Sequence, residues 1–88
     1  MPEMKVLVVD EECHGVIFVA ADLTAVKREL LRTGWVNGGN TCWNKAKQDW
    51  DYLVNTYGDN WQESYMGFDI GDLENMGFYI REWTVVRE

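Results

Sequence analysis

Long hydrophobic runs are missing from this sequence. Its longest apolar stretches have about five residues, whereas a membrane-spanning helix needs roughly 20. The first residues, Met1-Pro2-Glu3-Met4-Lys5, also lack the charged and then apolar order of a secretory signal. We therefore predict no signal peptide and no contact with a membrane, and we expect the protein in the cytoplasm.

Cysteine and histidine are scarce as well. The chain has two cysteines, Cys13 and Cys42, and one histidine, His14. Two cysteines are too few for a disulfide scaffold, and we expect both thiols to be reduced in the cytoplasm. Structural zinc sites nearly always contain close ligand pairs such as C-x2-C, which this sequence lacks, so we predict no metal. A glycine-rich phosphate loop is also absent, and we predict no cofactor.

Basic residues are few and unevenly placed. The net charge is −7; residues 23–48 carry five bases against Glu29, and residues 49–76 carry seven acids and no base. A chain this acidic binds nucleic acid poorly, because duplex affinity comes mainly from neutralising phosphates. We therefore predict no nucleic-acid partner and expect the acidic stretch to attract a basic protein.

The sequence does contain enough apolar material for one folded domain, which we place at residues 1–88. Hydrophobic residues make up 47% of the chain, with five Trp, four Tyr and three Phe. Each aromatic side chain can bury ~150–250 Å², so a few of them can anchor a core without a disulfide or a metal. Chains split into several domains only well above this length.

The pattern of apolar residues predicts a sheet at the two ends of the chain. Runs at 5–9 and 16–20 predict a hairpin whose loop extends from Asp10 to Gly15, and 78–86 predicts a closing strand. We predict an α+β fold: a three-stranded antiparallel sheet, formed by the N-terminal hairpin and the C-terminal strand, with two main helices packed on one face. The pattern leaves open which hairpin strand pairs with the last strand. Both faces of that strand are partly apolar, so the sheet face opposite the helices should be only partly wet.

The spacing of apolar residues predicts helices in the middle of the chain. Apolar residues at i, i+3, i+7 and i+8 from Leu23 predict a helix over 23–33, with Lys27 on its polar side. A second stripe predicts a longer helix that runs from Trp43 to Tyr57, and a short helix is expected at 61–66. The predicted helix caps are Asp22, Asn40 or Thr41, Asn60 and Asp69, with Gly34 and Gly58 as stops.

Two short segments resemble chemical sites but do not meet the requirements. Cys13 and His14 are adjacent, and neighbouring residues usually point apart; the acids just before them also disfavour a thiolate. The segment from Asp69 to Glu74 places three carboxylates within six residues, without the spacing of a calcium loop. We predict no catalytic residue.

The acids and the less clearly buried aromatics predict a binding surface. We predict a non-enzymatic protein-interaction domain in which carboxylates steer the partner and aromatics anchor it. The predicted binding residues are Asp49, Asp51, Asp59, Trp61, Glu63, Tyr65, Asp69, Asp72, Glu74 and Trp83.

Two alternative functions and one prediction of self-association follow from other features. One is a small-molecule binder or thiol enzyme that uses the loop of Cys13 and His14. Another is an inhibitor whose acidic face mimics DNA. A third prediction concerns self-association: segment 23–48 of one copy facing segment 49–76 of another would form a salt-sensitive homodimer.

Three segments carry a resemblance to a known group of proteins. The runs 8–20, 30–36 and 78–82 are similar in layout to small acidic proteins of Gram-positive bacteria and their phages, a group without established chemistry. The likeness covers about half of the chain and rests on no motif. It implies a phage or prophage accessory protein and implies no catalytic residue.

Overall fold

The structure, a computed structural model, describes residues 3–37 and 44–86. Its elements are β1 (Glu3–Glu11), β2 (Gly15–Ala20), α1 (Leu23–Arg32), α2 (Asn44–Tyr57), a 3-10 turn (Gly58–Asn60), α3 (Trp61–Met66), α4 (Ile70–Asn75) and β3 (Phe78–Val86). The predicted caps of the second helix, Asn40 and Thr41, lie outside the described residues, as does Trp43. Within those ranges, the helices are too short or too polar for any of them to span a membrane.

The three strands form one antiparallel sheet in the order β2-β1-β3. The predicted α+β fold is therefore confirmed, and the closing strand pairs with the first hairpin strand. β3 pairs with β1 along its whole length, from Glu3 opposite Val86 to Glu11 opposite Phe78. β2 is shorter and reaches only to Leu7 of β1. Beyond Leu7, β1 and β3 continue as a two-stranded ribbon.

The hairpin loop is shorter than predicted, and the prediction was wrong at both ends, since Gly15 already begins β2. Asp10 and Glu11 belong to β1, which leaves residues 12–14 as the turn. Both acids find partners that the sequence pattern does not show: Asp10 pairs with Arg81 at 2.8 Å, and Glu11 accepts hydrogen bonds from the turn itself. Gly15 has a φ of +72°, a left-handed backbone conformation that glycine adopts without steric cost.

The core lies between one face of the sheet and the helices. α1 lies against β1 and β2, α4 lies against β3, and α2 packs against α3. Residues from every layer meet in one buried cluster, so all described helices share that face of the sheet. The cluster consists of Val9, Val26, Leu30, Val36, Leu53, Tyr65, Leu73, Met76 and Phe78.

Most of the predicted helix ends are confirmed. The Asp22 carboxylate accepts a hydrogen bond from the Ala25 N–H at 2.8 Å, and Gly34 follows α1 with a φ of +81°. The predicted cap at Asn60 is wrong, because its side chain makes no capping hydrogen bond. The 3-10 turn runs directly into α3, so the Trp61 N–H already donates to the Gly58 carbonyl.

Lys27 is buried, contrary to the predicted polar side of α1. Its ammonium donates to the carbonyl oxygens of Met66 and Phe68, the second at 3.0 Å. The Tyr65 hydroxyl donates in return to the Lys27 carbonyl at 2.6 Å. A buried charge needs such partners, and these bonds join α1 to the C-terminal end of α3.

Candidate functional site

Two of the predicted acids meet in a single cleft. Asp49 of α2 and Asp72 of α4 line a cavity of about 500 Å³, which we call the acidic cleft. Two tyrosines of α2, Tyr52 and Tyr57, line it as well, and both are exposed. The remaining lining residues are Leu53, Phe68, Asn75 and Met76. Carboxylates and aromatic rings on one concave surface are suited to a cationic group.

Helix geometry explains why these side chains converge. Asp49, Tyr52 and Leu53 are spaced i, i+3 and i+4, so they share one face of α2. Asp72 is held by a capping box: its Oδ2 accepts from the Asp69 N–H at 3.0 Å, while its own N–H donates to Asp69 Oδ1 at 2.9 Å. These bonds fix the Asp72 carboxylate at the start of α4.

The other predicted acids lie outside the lining of the acidic cleft. Asp51 is exposed and pairs with Lys47 at 3.3 Å. Asp59, Glu63, Asp69 and Glu74 are exposed as well. These carboxylates contribute to the field around the cleft without contacting a ligand inside it.

The three predicted aromatic anchors have three different environments. Tyr65 is fully buried, so it cannot contact a partner, and burial raises the pKa of its hydroxyl. Trp61 is half-buried, with its ring packed edge-on against Trp50 at 5.1 Å. Trp83 is exposed but belongs to β3, on a different surface from the cleft. Sequence reasoning missed Tyr52, whose helical spacing from Asp49 was the available signal.

The sheet face opposite the helices has no cover among the described residues, and we call it the open face. Strand register places ten side chains on it: Met4, Val6, Val8, Asp10, Val16, Val19, Tyr79, Arg81, Trp83 and Val85. Nine large apolar side chains are exposed in the described part of the chain, and six of them lie here. Contiguous exposed apolar surface of this kind marks an interaction site.

The hairpin turn holds the chain's histidine against a buried acid. Glu11 is 2% exposed, its Oε1 accepts from the Cys13 N–H at 3.1 Å, and it lies 2.5 Å from His14 Nδ1. The imidazole ring packs edge-on against Trp35 at 5.2 Å. The Glu11 carboxylate and the Trp35 ring therefore fix the position of His14.

Cys13 is disulfide-bonded, so the prediction that both thiols stay reduced was wrong for this residue. Cys13 lies in the hairpin turn and is exposed. The chain's other cysteine, Cys42, lies outside the described residues. A disulfide sulfur offers no thiolate, and a thiol enzyme requires one as its nucleophile.

Metal-binding clusters are absent from residues 3–37 and 44–86: no three His, Cys, Asp or Glu side chains there are grouped to hold an ion. Comparison with protein-family models, curated proteins and solved structures found no significant match. The resemblance to acidic phage proteins therefore stays a prediction, and the function has to be argued from the two surfaces.

Proposed function

We propose that this chain is a non-enzymatic protein-interaction domain whose acidic cleft binds a basic side chain of a partner protein. One observation carries the proposal: Asp49 and Asp72, from two different helices, line one cavity together with Tyr52 and Tyr57. A cation entering the cleft meets carboxylate oxygens and aromatic faces at once. Each kind of contact stabilises a positive charge.

The surrounding charge supports a basic partner. The stretch 49–76 contains seven acids and no base, and the acids outside the cleft lining are exposed. Such a field speeds the encounter with a basic surface and rejects an acidic one. We expect arginine to bind better than lysine, because a planar guanidinium can pair with a carboxylate and stack on a tyrosine ring.

The cellular setting is also part of the proposal. The resemblance in layout supports a phage or prophage accessory protein that acts on a host or phage partner. The disulfide at Cys13 argues against a reducing compartment, since cytosolic thiols are normally kept reduced. Thiol alkylation of freshly lysed cells, followed by mass spectrometry, would show whether Cys13 is oxidised in the cell: a blocked thiol would contradict the cytoplasm predicted from the sequence, and an alkylated thiol would agree with it.

The two alternatives have less support. A thiol enzyme would need Cys13 as a thiolate, and this residue is in a disulfide. A DNA mimic would need carboxylates aligned like phosphates. Asp69 and Asp72 are instead bonded to each other's backbone in the capping box, and Asp51 is paired with Lys47.

The test is an NMR titration of the 15N-labelled chain with N-acetyl-arginine amide, with N-acetyl-lysine amide and N-acetyl-glutamate as comparisons. We expect saturable shifts at Tyr52, Tyr57 and Asn75, with a Kd in the range of about 1–10 mM, typical of a single side chain. The lysine compound should bind more weakly, and the glutamate compound should cause no saturable shift.

Matched charge variants make this titration specific. The double variant Asp49→Asn/Asp72→Asn removes two charges, while the amide oxygen introduced at position 72 can still accept the capping hydrogen bond; we expect it to bind at least about fivefold more weakly. The control Asp59→Asn/Glu63→Gln removes two exposed charges outside the cleft and should weaken binding less than about twofold. Equal losses in both variants would show a general charge effect and would contradict the proposed cleft.

A further inference from the structure

We infer that the open face is a dimer interface on which a second copy of this chain packs, sheet against sheet. The acidic cleft has no part in this contact. The inference rests on the composition, charge, shape and size of the open face.

The composition of the open face is that of a surface normally covered. Val19 on β2 and Trp83 on β3 are each 55% exposed, although both belong to residue types that usually lie inside. Between them, Val8 on the central strand is buried and takes no part in the helix-side core cluster. All three strands thus contribute apolar side chains to a second face that the described helices do not cover.

The charge of the open face favours a second copy over a charged partner. Its two charged residues, Asp10 and Arg81, neutralise each other through an ion pair of 2.8 Å. The whole chain has a net charge of −7, so two copies repel at most other surfaces. A neutral face is where two such acidic molecules can approach at the lowest electrostatic cost.

The shape of the open face suits a two-fold pair. Its large side chains, Tyr79 and Trp83, stand on the edge strand β3, whereas Val16 and Val19 stand on the opposite edge strand β2. A two-fold axis that lies between the sheets, parallel to the strands, places β3 of one copy over β2 of the other. Tyr79 of one copy then faces the smaller Val16 of the other, and the Arg81 side chain lies over Val19.

The same axis gives Trp83 a place to pack. On one side of β1, Val6 pairs with Trp83 of β3. On its other side Val6 has no neighbouring strand, because β2 ends opposite Leu7. This leaves a gap one strand wide next to Val6. The two-fold operation puts the partner's indole over that gap, and this contact is isologous, because each copy gives one Trp83 and receives one.

The size of the face predicts a reversible dimer. β1 and β3 have nine residues each; at ~3.4 Å per residue and ~4.8 Å between strands, the face measures roughly 400 Å². Two such faces with their side chains bury on the order of 1,000 Å², near the lower limit for a specific interface. We therefore expect a Kd of about 10–100 µM.

This dimer differs from the charge-driven one predicted from the sequence in its response to salt. In segment 23–48, Lys27 is buried, Arg32 pairs with Glu29, and Lys47 pairs with Asp51. Three of the five bases in this segment are thus already engaged within one chain, which lowers the charge available to a second copy. An apolar contact between acidic chains should tighten as salt screens their repulsion, whereas a contact between opposite charges should loosen.

The test is sedimentation equilibrium of the full chain between about 10 µM and about 1 mM, at about 0.05 M and about 0.5 M NaCl. We expect a monomer–dimer equilibrium whose association constant is unchanged or higher at the higher salt concentration. Trp83→Lys and Val19→Lys should each weaken it at least about tenfold, because both introduce a charge at the packed centre. Ile70→Lys, which changes an exposed apolar residue on α4, should leave it unchanged.

Circular dichroism melts of each variant check that it still folds. We expect both lysine variants to fold, because both mutated side chains are exposed in the monomer. A chain that is monomeric up to the highest concentration in both salts would overturn the inference. So would a dimer that loosens with salt or survives both lysine variants. Protection of the open face only after another protein is added would assign that face to a different partner, and it would overturn the inference equally.

Discussion

The two faces of the sheet are formed by the same strands but lie in different environments: the helices cover one face, and the other is exposed. On the covered face, Val9 and Phe78 are fully buried beneath the helices. On the open face, Val19 and Trp83 remain about half exposed although they are equally apolar. An antiparallel sheet with one side facing solvent normally alternates apolar and polar side chains. On the open face of this sheet only Asp10 and Arg81 are charged, and the other eight side chains are apolar or aromatic.

The difference separates two kinds of surface on one small chain. The helical layer is acidic on its outer side and contains a cleft suited to a cation. The open face is neutral and apolar, and it is suited to a contact that excludes water. On the basis of area and charge, we propose different partners for the two sides: a basic side chain for the cleft, and a second copy for the sheet.

Two adjacent residues of β3 give the strongest test of the difference between the two faces. Phe78 is fully buried on the covered face, whereas Tyr79 is 42% exposed on the open face. Phe78→Ala should lower the free energy of unfolding by about 3–5 kcal/mol, and Tyr79→Ala by less than about 1 kcal/mol. Urea unfolding at low protein concentration, where the chain is monomeric, measures both. Similar losses would mean that the two faces are not different in the monomer.

The buried Lys27 tests how the covered face is maintained, because its hydrogen bonds join α1 to the end of α3. Replacing it removes the donor for the Met66 and Phe68 carbonyls. Lys27→Met should therefore cost about 2–3 kcal/mol of unfolding free energy. Arg28→Met, the neighbouring exposed position, should change the unfolding free energy by no more than about 0.5 kcal/mol. If the two variants unfolded at the same urea concentration, the tie between α1 and α3 would have no energetic role.

Alkaline pH tests the interior of the helical layer through Tyr65. Burial raises the pKa of this hydroxyl in the folded chain, while its unfolded pKa is about 10. Above pH 10 the unfolded chain loses a proton that the folded chain keeps, so stability falls as pH rises towards the folded pKa. The fall from this group is at most about 1.4 kcal/mol per pH unit. Tyr65→Phe should remove this component; an unchanged slope in the variant would place the titrating group elsewhere.

Much of the fold follows from interactions that the sequence shows locally. The Asp22 and Asp69 caps bond backbone groups three residues away, and helical spacing marks α1 and most of α2. The main errors in the fold involve partners distant in the chain. Lys27 bonds to a carbonyl 41 residues away, and Tyr65 to one 38 residues away, so neither burial could be seen in a local pattern. The extension of β1 depends in the same way on Arg81.

The candidate surfaces were less predictable than the fold. The excess of acid in 49–76 marks the region of the cleft, but only tertiary packing brings Asp49 and Asp72 to one cavity and leaves Asp59 and Glu63 outside it. The open face follows from the register of β3 on β1 rather than on β2. That choice depends on which apolar stripes the helices cover, and the sequence left it open.

One NMR experiment tests directly whether the chain has two separate interaction surfaces. The Trp83 indole N–H reports the open face, and the Asn75 side-chain amide reports the acidic cleft. Dilution should move the Trp83 signal and leave Asn75 in place, whereas N-acetyl-arginine amide should move Asn75 and leave Trp83 in place. If both signals respond together to either change, or if neither signal responds to dilution or ligand, the two-surface account is wrong.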